Sequence, residues 1–337
     1  MEHTIFGKTN LKVSRTAFGC IPIQRISYED STALLRHAYE SGVTLYDTAN
    51  GYTTSEDRIG TALSHVREKI VICTKSGAPT PEGMLTHLDN SLKMLRTDYI
   101  DVFQFHNPSF VPRHGGEDGL YDAIVKAKAA GKVRFIGITA HSHTRALEAV
   151  QSGLFDTLQY PFSYLSTDEE LALTNHCAAH NVGILGMKGL CGGILSNAKA
   201  AFAFLRQYEN IIPIWGIQTI QQLDEFLTYE ASPPILDDSL QKAIDTDRDE
   251  LSGSFCRACG YCLPCPAQIP IPMAARMSFL MGRMVREQFL AENWQENMRR
   301  ISDCTACGHC IANCPYELNV PELLKDMQVK YFAELNR

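Results

Sequence analysis

No apolar run in the 337-residue sequence reaches the roughly 18 residues that a membrane-spanning helix needs. Basic residues are not in excess either. The 31 Lys and Arg stand against 38 Asp and Glu, a formal net charge of −7, so the electrostatic footprint of a nucleic-acid or anionic-membrane binder is missing. The opening residues, MEHTIFGKTN, lack the apolar stretch of a secretory signal, and a reducing, cytoplasmic location is the expectation. No G-x-G-x-x-G opens a first helix, which counts against a doubly wound dinucleotide-binding sheet. With 45% hydrophobic and 20% charged residues, a disordered or fibrous chain is excluded, and the length suits about two domains or one large barrel with an addition.

What is abundant is cysteine, twelve in all. Cys20, Cys73, Cys177 and Cys191 are scattered, and the other eight form two tight runs. The first reads Cys256-x-x-Cys259-x-x-Cys262-x-x-Cys265-Pro266, and the second Cys304-x-x-Cys307-x-x-Cys310-x-x-x-Cys314-Pro315. Disulfides suit an exported chain, which the opening residues do not announce. Zinc takes four ligands, often as two separated Cys-x-x-Cys pairs. Three close thiols, a more remote fourth and a following proline instead fit a 4Fe–4S cubane whose fourth ligand comes from the other run. From about Phe255 to Leu318 the chain resembles bacterial two-cluster ferredoxins. That resemblance implies one cluster on Cys256, Cys259, Cys262 and Cys314, and a second on Cys304, Cys307, Cys310 and Cys265. The first run is one residue shorter before its last cysteine, and a long helical-looking insert, 273–300, joins the runs.

Ahead of this region, apolar β-rich runs recur at 16–20, 43–48, 70–75, 99–106, 133–139, 156–160, 182–188 and 210–216. Their near-uniform apolarity predicts buried parallel strands. Amphipathic stretches at 30–41, 84–95, 123–130, 144–151 and 167–180 predict intervening helices, with Thr167 as an N-cap ahead of Asp168 and Glu169. Eight such repeats predict an α/β fold, a (β/α)8 TIM barrel followed by a small, mainly helical iron–sulfur domain. The expected divisions are a barrel over 1–231, an acidic linker with one helix over 232–254, and a two-cluster domain over 255–337.

Asp47, Lys75, His106, Thr139, Gln159 and Lys188 each stand at the carboxyl end of a predicted strand. In a barrel those ends share one face, so six distant positions converge on one pocket. Residues 4 to about 230, with DTANGY, ICTK and FQFHN, resemble the aldo/keto reductase family. Asp47, Tyr52, Lys75 and His106 match the family's catalytic tetrad. The chemistry of the side chains supports such roles. Carbonyl reduction needs a hydride on carbon and a proton on oxygen, and a free tyrosine, with a pKa near 10, is a reluctant acid–base group at neutral pH. Lys75 is expected to stabilise tyrosinate, Asp47 to orient the ammonium, and His106 to hold the carbonyl oxygen.

The resemblance further implies that Thr139 and Gln159 hold the nicotinamide carboxamide. Gly189, Gly192, Gly193 and Gly216 let backbone approach a pyrophosphate, and Gln218, Gln222 and Glu225 face the adenosine half. Two positions depart from the family: Ala140 follows the fifth strand where an Asn is usual, and Lys188 replaces a stacking aromatic, either to pair with a ligand phosphate or to stand as a solvated rim lysine. No Lys or Arg occurs from Gly216 to Tyr229 to pair with a 2′-phosphate, so NADP(H) and NAD(H) both stay open, as does a flavin phosphate.

Smaller signals are Cys73 as barrel filler, Cys191 as a thiol near the phosphate loop, His141 and His143 as loop histidines, 108–119 as a lid or docking loop, and 273–284 as an apolar face packed on the barrel or another subunit. The expected function is an NAD(P)H-linked oxidoreductase acting on a small carbonyl or alcohol, with the clusters passing electrons to an external carrier protein. The alternative is a non-catalytic nucleotide-binding redox sensor or electron-transfer subunit. Neither nucleic acid nor membrane is an expected partner.

Overall fold

The computed structural model of the protein describes residues 1–251, 255–283 and 286–335. The chain divides into two compact units, one of Met1–Gly189 and Lys199–Asp237, the other of Leu190–Ala198 and Asp238–Arg337.

The first unit opens on an antiparallel hairpin of β1 (His3–Ile5) and β2 (Lys12–Ser14). Eight parallel strands then alternate with helices. They run β3 (Ala17–Gly19), α1 (Tyr28–Glu40), β4 (Leu45–Asp47), α2 (Ser55–Leu63), β5 (Val71–Ser76), α3 (Pro81–Leu95), β6 (Ile100–His106) and α4 (Leu120–Ala129). After these come β7 (Val133–Thr139), α5 (His143–Gln151), β8 (Thr157–Pro161), α6 (Asp168–Ala179), β9 (Gly183–Met187), α7 (Ala198–Arg206), β10 (Ile211–Gly216) and α8 (Ile220–Ala231). The sheet closes in the order β10-β3-β4-β5-β6-β7-β8-β9, a (β/α)8 barrel whose strands are those the apolar runs predict. Helix starts follow local chemistry. Thr167 and Glu170 form a reciprocal capping box on α6, and the Thr80 hydroxyl accepts from Gly83 N–H behind Pro81 on α3.

Alternate strand residues fill the barrel interior, among them Ala17, Leu45, Cys73, Val102, Leu185 and Ile212. Phe6 and Val13 of the hairpin join this cluster. Phe6 is fully buried and lies against Gly183 at the start of β9, and Ser14 bonds Thr44 just before β4, so the hairpin stoppers the amino-terminal end of the barrel. Gly7 allows this closeness, because a Cβ there would enter the Gly183 backbone.

The second unit is helical: α9 (Asp238–Glu250), α10 (Ile271–Ala274), α11 (Met277–Arg283), α12 (Glu287–Leu290), α13 (Glu292–Arg299), α14 (His309–Ala312) and α15 (Val320–Leu335). The stretch expected to be a linker therefore carries α9, which groups with this unit, and 252–254 lie outside the described residues. Met277, Leu280 and Met281 pack into the unit's own core with Phe289, Met298, Leu324, Met327 and Tyr331, and Met284, the last residue of that apolar segment, lies outside the described residues. The Tyr331 hydroxyl donates to the Phe289 carbonyl at 2.7 Å, tying α15 to the segment before α13. Among the described residues, no helix is long and apolar enough to cross a membrane.

Candidate active site and cluster ligands

Strand register brings the polar residues of the barrel into two adjoining rows. Lys75 pairs with Gln104, and His106 with Thr139, which pairs in turn with Gln159. Lys75 is fully buried and Asp47 is 4% exposed. The Lys75 ammonium donates to Asp47 Oδ2 at 2.9 Å and to the Thr48 carbonyl at 2.6 Å, and it lies 2.8 Å from Asp47 Oδ1 as an ion pair. Gln159 Nε2 donates to Asp47 Oδ2 at 3.2 Å, and its own Oε1 accepts from Gln104 Nε2 at 2.9 Å. The Thr139 hydroxyl closes this chain at 3.4 Å from Gln104 Oε1. Gln104 was not among the residues expected at the site, although its alternation with His106 on β6 puts both on the interior face. Gly137 makes its position possible, since a Cβ there would sit 2.9 Å from Gln104 Cγ.

Tyr52 belongs to the turn between β4 and α2. That turn is moored by the Thr48 N–H to the Cys73 carbonyl (2.9 Å), the Asn50 N–H to the Lys75 carbonyl (3.0 Å) and the Ser55 hydroxyl to the Cys20 carbonyl (2.8 Å). The DTANGY segment is thereby fastened to the rims of β3 and β5. Lys75 Nζ lies 5.2 Å from the Tyr52 ring centroid, and the His106 ring meets Tyr52 edge-on at 5.8 Å. The four tetrad candidates are therefore together.

Electrostatics at this cluster is set by burial. Desolvation pushes the Asp47 carboxyl above its ordinary range although Lys75 pulls it down. Burial would lower the Lys75 ammonium, but Asp47 and then Tyr52 outweigh it and leave its pKa raised. The Tyr52 phenol is raised by burial, against the opposite pull of Lys75. Lys75 acts in the direction expected of a cation beside a tyrosinate, but in the folded barrel desolvation exceeds it. His106 is depressed to about 3, by burial first and then by the Lys75 and Lys188 charges, so it is a neutral imidazole at pH 7. Beside it opens a cleft with about 590 Å³ of empty space, lined by Pro79, Met84, Phe105, Pro108 and Phe110 among others.

The residues expected at a nucleotide are distributed along the chain as follows. Lys188, left-handed at φ 61°, follows β9 within Coulombic reach of His106. Gly189 packs on the Trp215 ring. Gly192 and Gly193 form a tight turn with Cys191 that belongs to the second unit. Gly216 ends β10, and the Gln218 N–H donates to Gln222 Oε1 at the start of α8. Glu225 accepts from Tyr229 on the same helix. Cys20 and Cys73 are buried thiols pushed well above the usual range by desolvation, which makes them inert packing groups. His143 stands 3.4 Å from Glu169.

In the second unit the eight run cysteines line two cavities. One, with about 360 Å³ of empty space, is bordered by Cys256, Cys259, Cys262 and Cys314. The other, of about 380 Å³, is bordered by Cys265, Cys304, Cys307 and Cys310, with Cys262 at its edge. The runs also share a backbone pattern. Ala258 and Gly260 in the first, and Ala306 and Gly308 in the second, are left-handed at matching places in Cys-x-Ala-Cys-Gly-x-Cys. Such alternation turns successive N–H groups inward as a nest for an anion. Among the described residues, no three His, Cys, Asp or Glu side chains are spaced to share a single metal ion. Thiols spread around a cavity, inside an N–H nest, fit an anionic cluster that takes one ligand per corner.

The Aldo/keto reductase family profile matches residues 15–203, and that of the 4Fe-4S dicluster domain matches 255–319. The chain is 29% identical over 215 residues to L-galactose dehydrogenase of Arabidopsis thaliana, covering 58% of this chain and 67% of that protein. It is 27% identical over 219 residues to the aldo-keto reductase YhdN of Bacillus subtilis, covering 58% of this chain and 64% of that one. Among solved structures, a putative aldo-keto reductase from Pseudomonas aeruginosa superposes with a TM-score of 0.61 at 25% identity, over 68% of this chain and 94% of its own. The holo form of an aldo-keto reductase from Bacillus halodurans shares the fold, with a TM-score of 0.63 at 19% identity, over 73% of this chain and 96% of its own.

Proposed function

The chain belongs to the aldo/keto reductase family and carries a 4Fe–4S domain, and on that premise we propose that it is an NAD(P)H-linked oxidoreductase that reduces a small carbonyl compound, or oxidises the corresponding alcohol, with Tyr52 as the general acid. The observation that carries this reading is the buried Lys75–Asp47 pair beneath Tyr52, with neutral His106 against the same ring.

When bound, the nicotinamide supplies the hydride. The chain's own residues handle the oxygen. A phenol with a raised pKa holds its proton at neutral pH, so Tyr52 is loaded before negative charge develops on the substrate oxygen. Lys75, kept charged by Asp47, stabilises the tyrosinate left behind, and the neutral His106 offers an N–H donor that orients the carbonyl. The apolar side chains that line much of the cleft beside His106 suit the non-polar end of a substrate. Thr139, Gln159, Lys188, Gly189, Gly216, Gln218, Gln222 and Glu225, all of the first unit, are the proposed nucleotide contacts, whereas Gly192 and Gly193 belong to the second unit. Two 4Fe–4S clusters, ligated crosswise as the two cavities suggest, would store single electrons for exchange with an external carrier.

Anaerobically purified protein is expected to show carbonyl-dependent oxidation of NADPH or NADH, and Tyr52→Phe to cut it by at least about 100-fold, the usual scale for a lost general acid. Full activity in that variant refutes the assignment. A second reading, a nucleotide-binding redox sensor without turnover, is favoured by Lys188 and Ala140 in place of the family's aromatic and Asn. Tight nucleotide binding with no turnover across aldehydes and ketones would select it.

A further inference from the structure

Arg276 joins α10 to α11 and is only 3% exposed. Its Nε donates to the Pro272 carbonyl at 2.8 Å, and its Nη1 to the carbonyls of Gly192 at 3.0 Å and Cys191 at 3.4 Å. Nη2 lies 3.7 Å from Met273 Sδ. Every one of these partners is neutral, and among the described residues no carboxylate answers the charge. The titratable groups that act on Arg276 are the sulfurs of Cys256 and Cys191, which carry negative charge only as thiolates. A guanidinium cannot shed its proton in a protein, and a buried charge without a counter-charge is strongly disfavoured. The surroundings of Arg276 are therefore short of negative charge by an amount that thiolate ligands around the first cavity would supply.

Packing ties three pieces of chain to this one cation. Gly192 is left-handed at φ 68°, and a Cβ there would lie 3.2 Å from Arg276 Nη1 and 3.5 Å from the Cβ of Ala258. Ala258 is the residue between cluster-ligand candidates Cys256 and Cys259. The 190–198 loop, the guanidinium and the first ligand loop thus share one contact, and all belong to the second unit. The loop itself follows Lys188 and Gly189 directly in the chain.

From this arrangement we infer that Arg276 is the counter-charge of the cluster held by Cys256, Cys259, Cys262 and Cys314, and that through the Cys191 and Gly192 carbonyls it makes the order of the 190–198 loop depend on that cluster. The inference rests on the cluster assignment proposed above. Arg276 is a positioning residue in this scheme. Reduction adds negative charge beside a fixed cation, which favours the reduced cluster. Without the cluster, the guanidinium is left buried and uncompensated, and the loop it grips is released.

The test uses the anaerobically purified full chain, with Arg276→Gln and Arg276→Lys. Redox titration followed by EPR reads the clusters, and amide hydrogen exchange reads the loop. In R276Q one cluster's reduction equilibrium is expected to fall about tenfold, which is about 59 mV for one electron, while the other stays put and amides 190–198 exchange faster. R276K keeps the charge but replaces the planar fork by a point donor, so the midpoint should hold while exchange rises. A purely structural arginine would speed exchange without moving either midpoint, and that result overturns the counter-charge. Unchanged exchange in R276Q overturns the link to the loop. Iron and sulfide analysis of Cys259→Ser separates the two failures: no loss of iron there removes the cluster assignment itself, whatever Arg276 does.

Discussion

Replacing Lys75 by methionine separates the ion pair's contribution to stability from its contribution to chemistry. The ammonium is fully buried, with Asp47 at 2.8 and 2.9 Å and the Thr48 carbonyl at 2.6 Å. Lys75→Met fills much of the same volume but strands the Asp47 carboxylate, which is 4% exposed. Removing one partner of a buried pair costs about 3–5 kcal/mol, chiefly the penalty on the charge left behind. For a domain of this size each kcal/mol moves Tm by about 2–4 °C, so a fall of roughly 6–20 °C is expected. Adding Asp47→Asn removes the stranded charge, and the double variant should regain most of that loss. Activity should not follow. Without the cation the tyrosinate loses its stabilising partner, so turnover is expected to stay down by about 100-fold or more in both variants. Thermal unfolding by far-UV circular dichroism and anaerobic turnover on one aldehyde measure the two quantities. A double variant as unstable as K75M would refute the stranded-charge account, and one that recovers turnover would refute the role of Lys75 at Tyr52.

Three further outcomes are expected. His106 is held at about 3 rather than its ordinary 6.5, so on acidification the unfolded chain takes up that proton first and stability falls as pH drops from 6.5 towards 3. His106→Gln, which stays neutral, should flatten Tm against pH across that window, and an unchanged slope counts against the depressed imidazole. Phe6→Ala should cost about 3–5 kcal/mol in a denaturant titration, as for a deleted core aromatic; a loss of about 0.5 kcal/mol, the scale of a surface change, would show that the hairpin does not complete the barrel core. Cys314→Ser should disturb the EPR signal that Cys256→Ser disturbs, not the one that Cys304→Ser disturbs, and the reverse pairing would refute crossed ligation.

The barrel was legible because its strands are buried on both sides. Near-uniform apolar runs such as IVICTK leave little doubt about the element, and the polar residue that breaks each run marks the mouth. The hairpin was not legible, because three-residue strands are too short to show a period. Asp47, Tyr52, Lys75 and His106 could be picked out by residue type and strand position. The direction of the Tyr52 shift could not, since it depends on a desolvation that only the closed barrel creates. Gln104 was visible in the alternation Gln104-Phe105-His106 but inconspicuous beside its histidine. Arg276 carries no local signature; its meaning comes from a loop 84 residues away in the chain. The apolar 273–284 stretch signalled burial, and only the fold reveals that much of it is buried within its own unit.

The two cysteine runs are near copies in backbone conformation, down to Gln268 and Glu317 after the paired Cys-Pro steps. With Cys265 facing the later run's cavity and Cys314 the earlier one's, each half-module lends a thiol to its sibling. Under the proposed ligation neither half can mature alone: assembly becomes a joint event, and oxidative injury to one iron centre loosens a corner of the second.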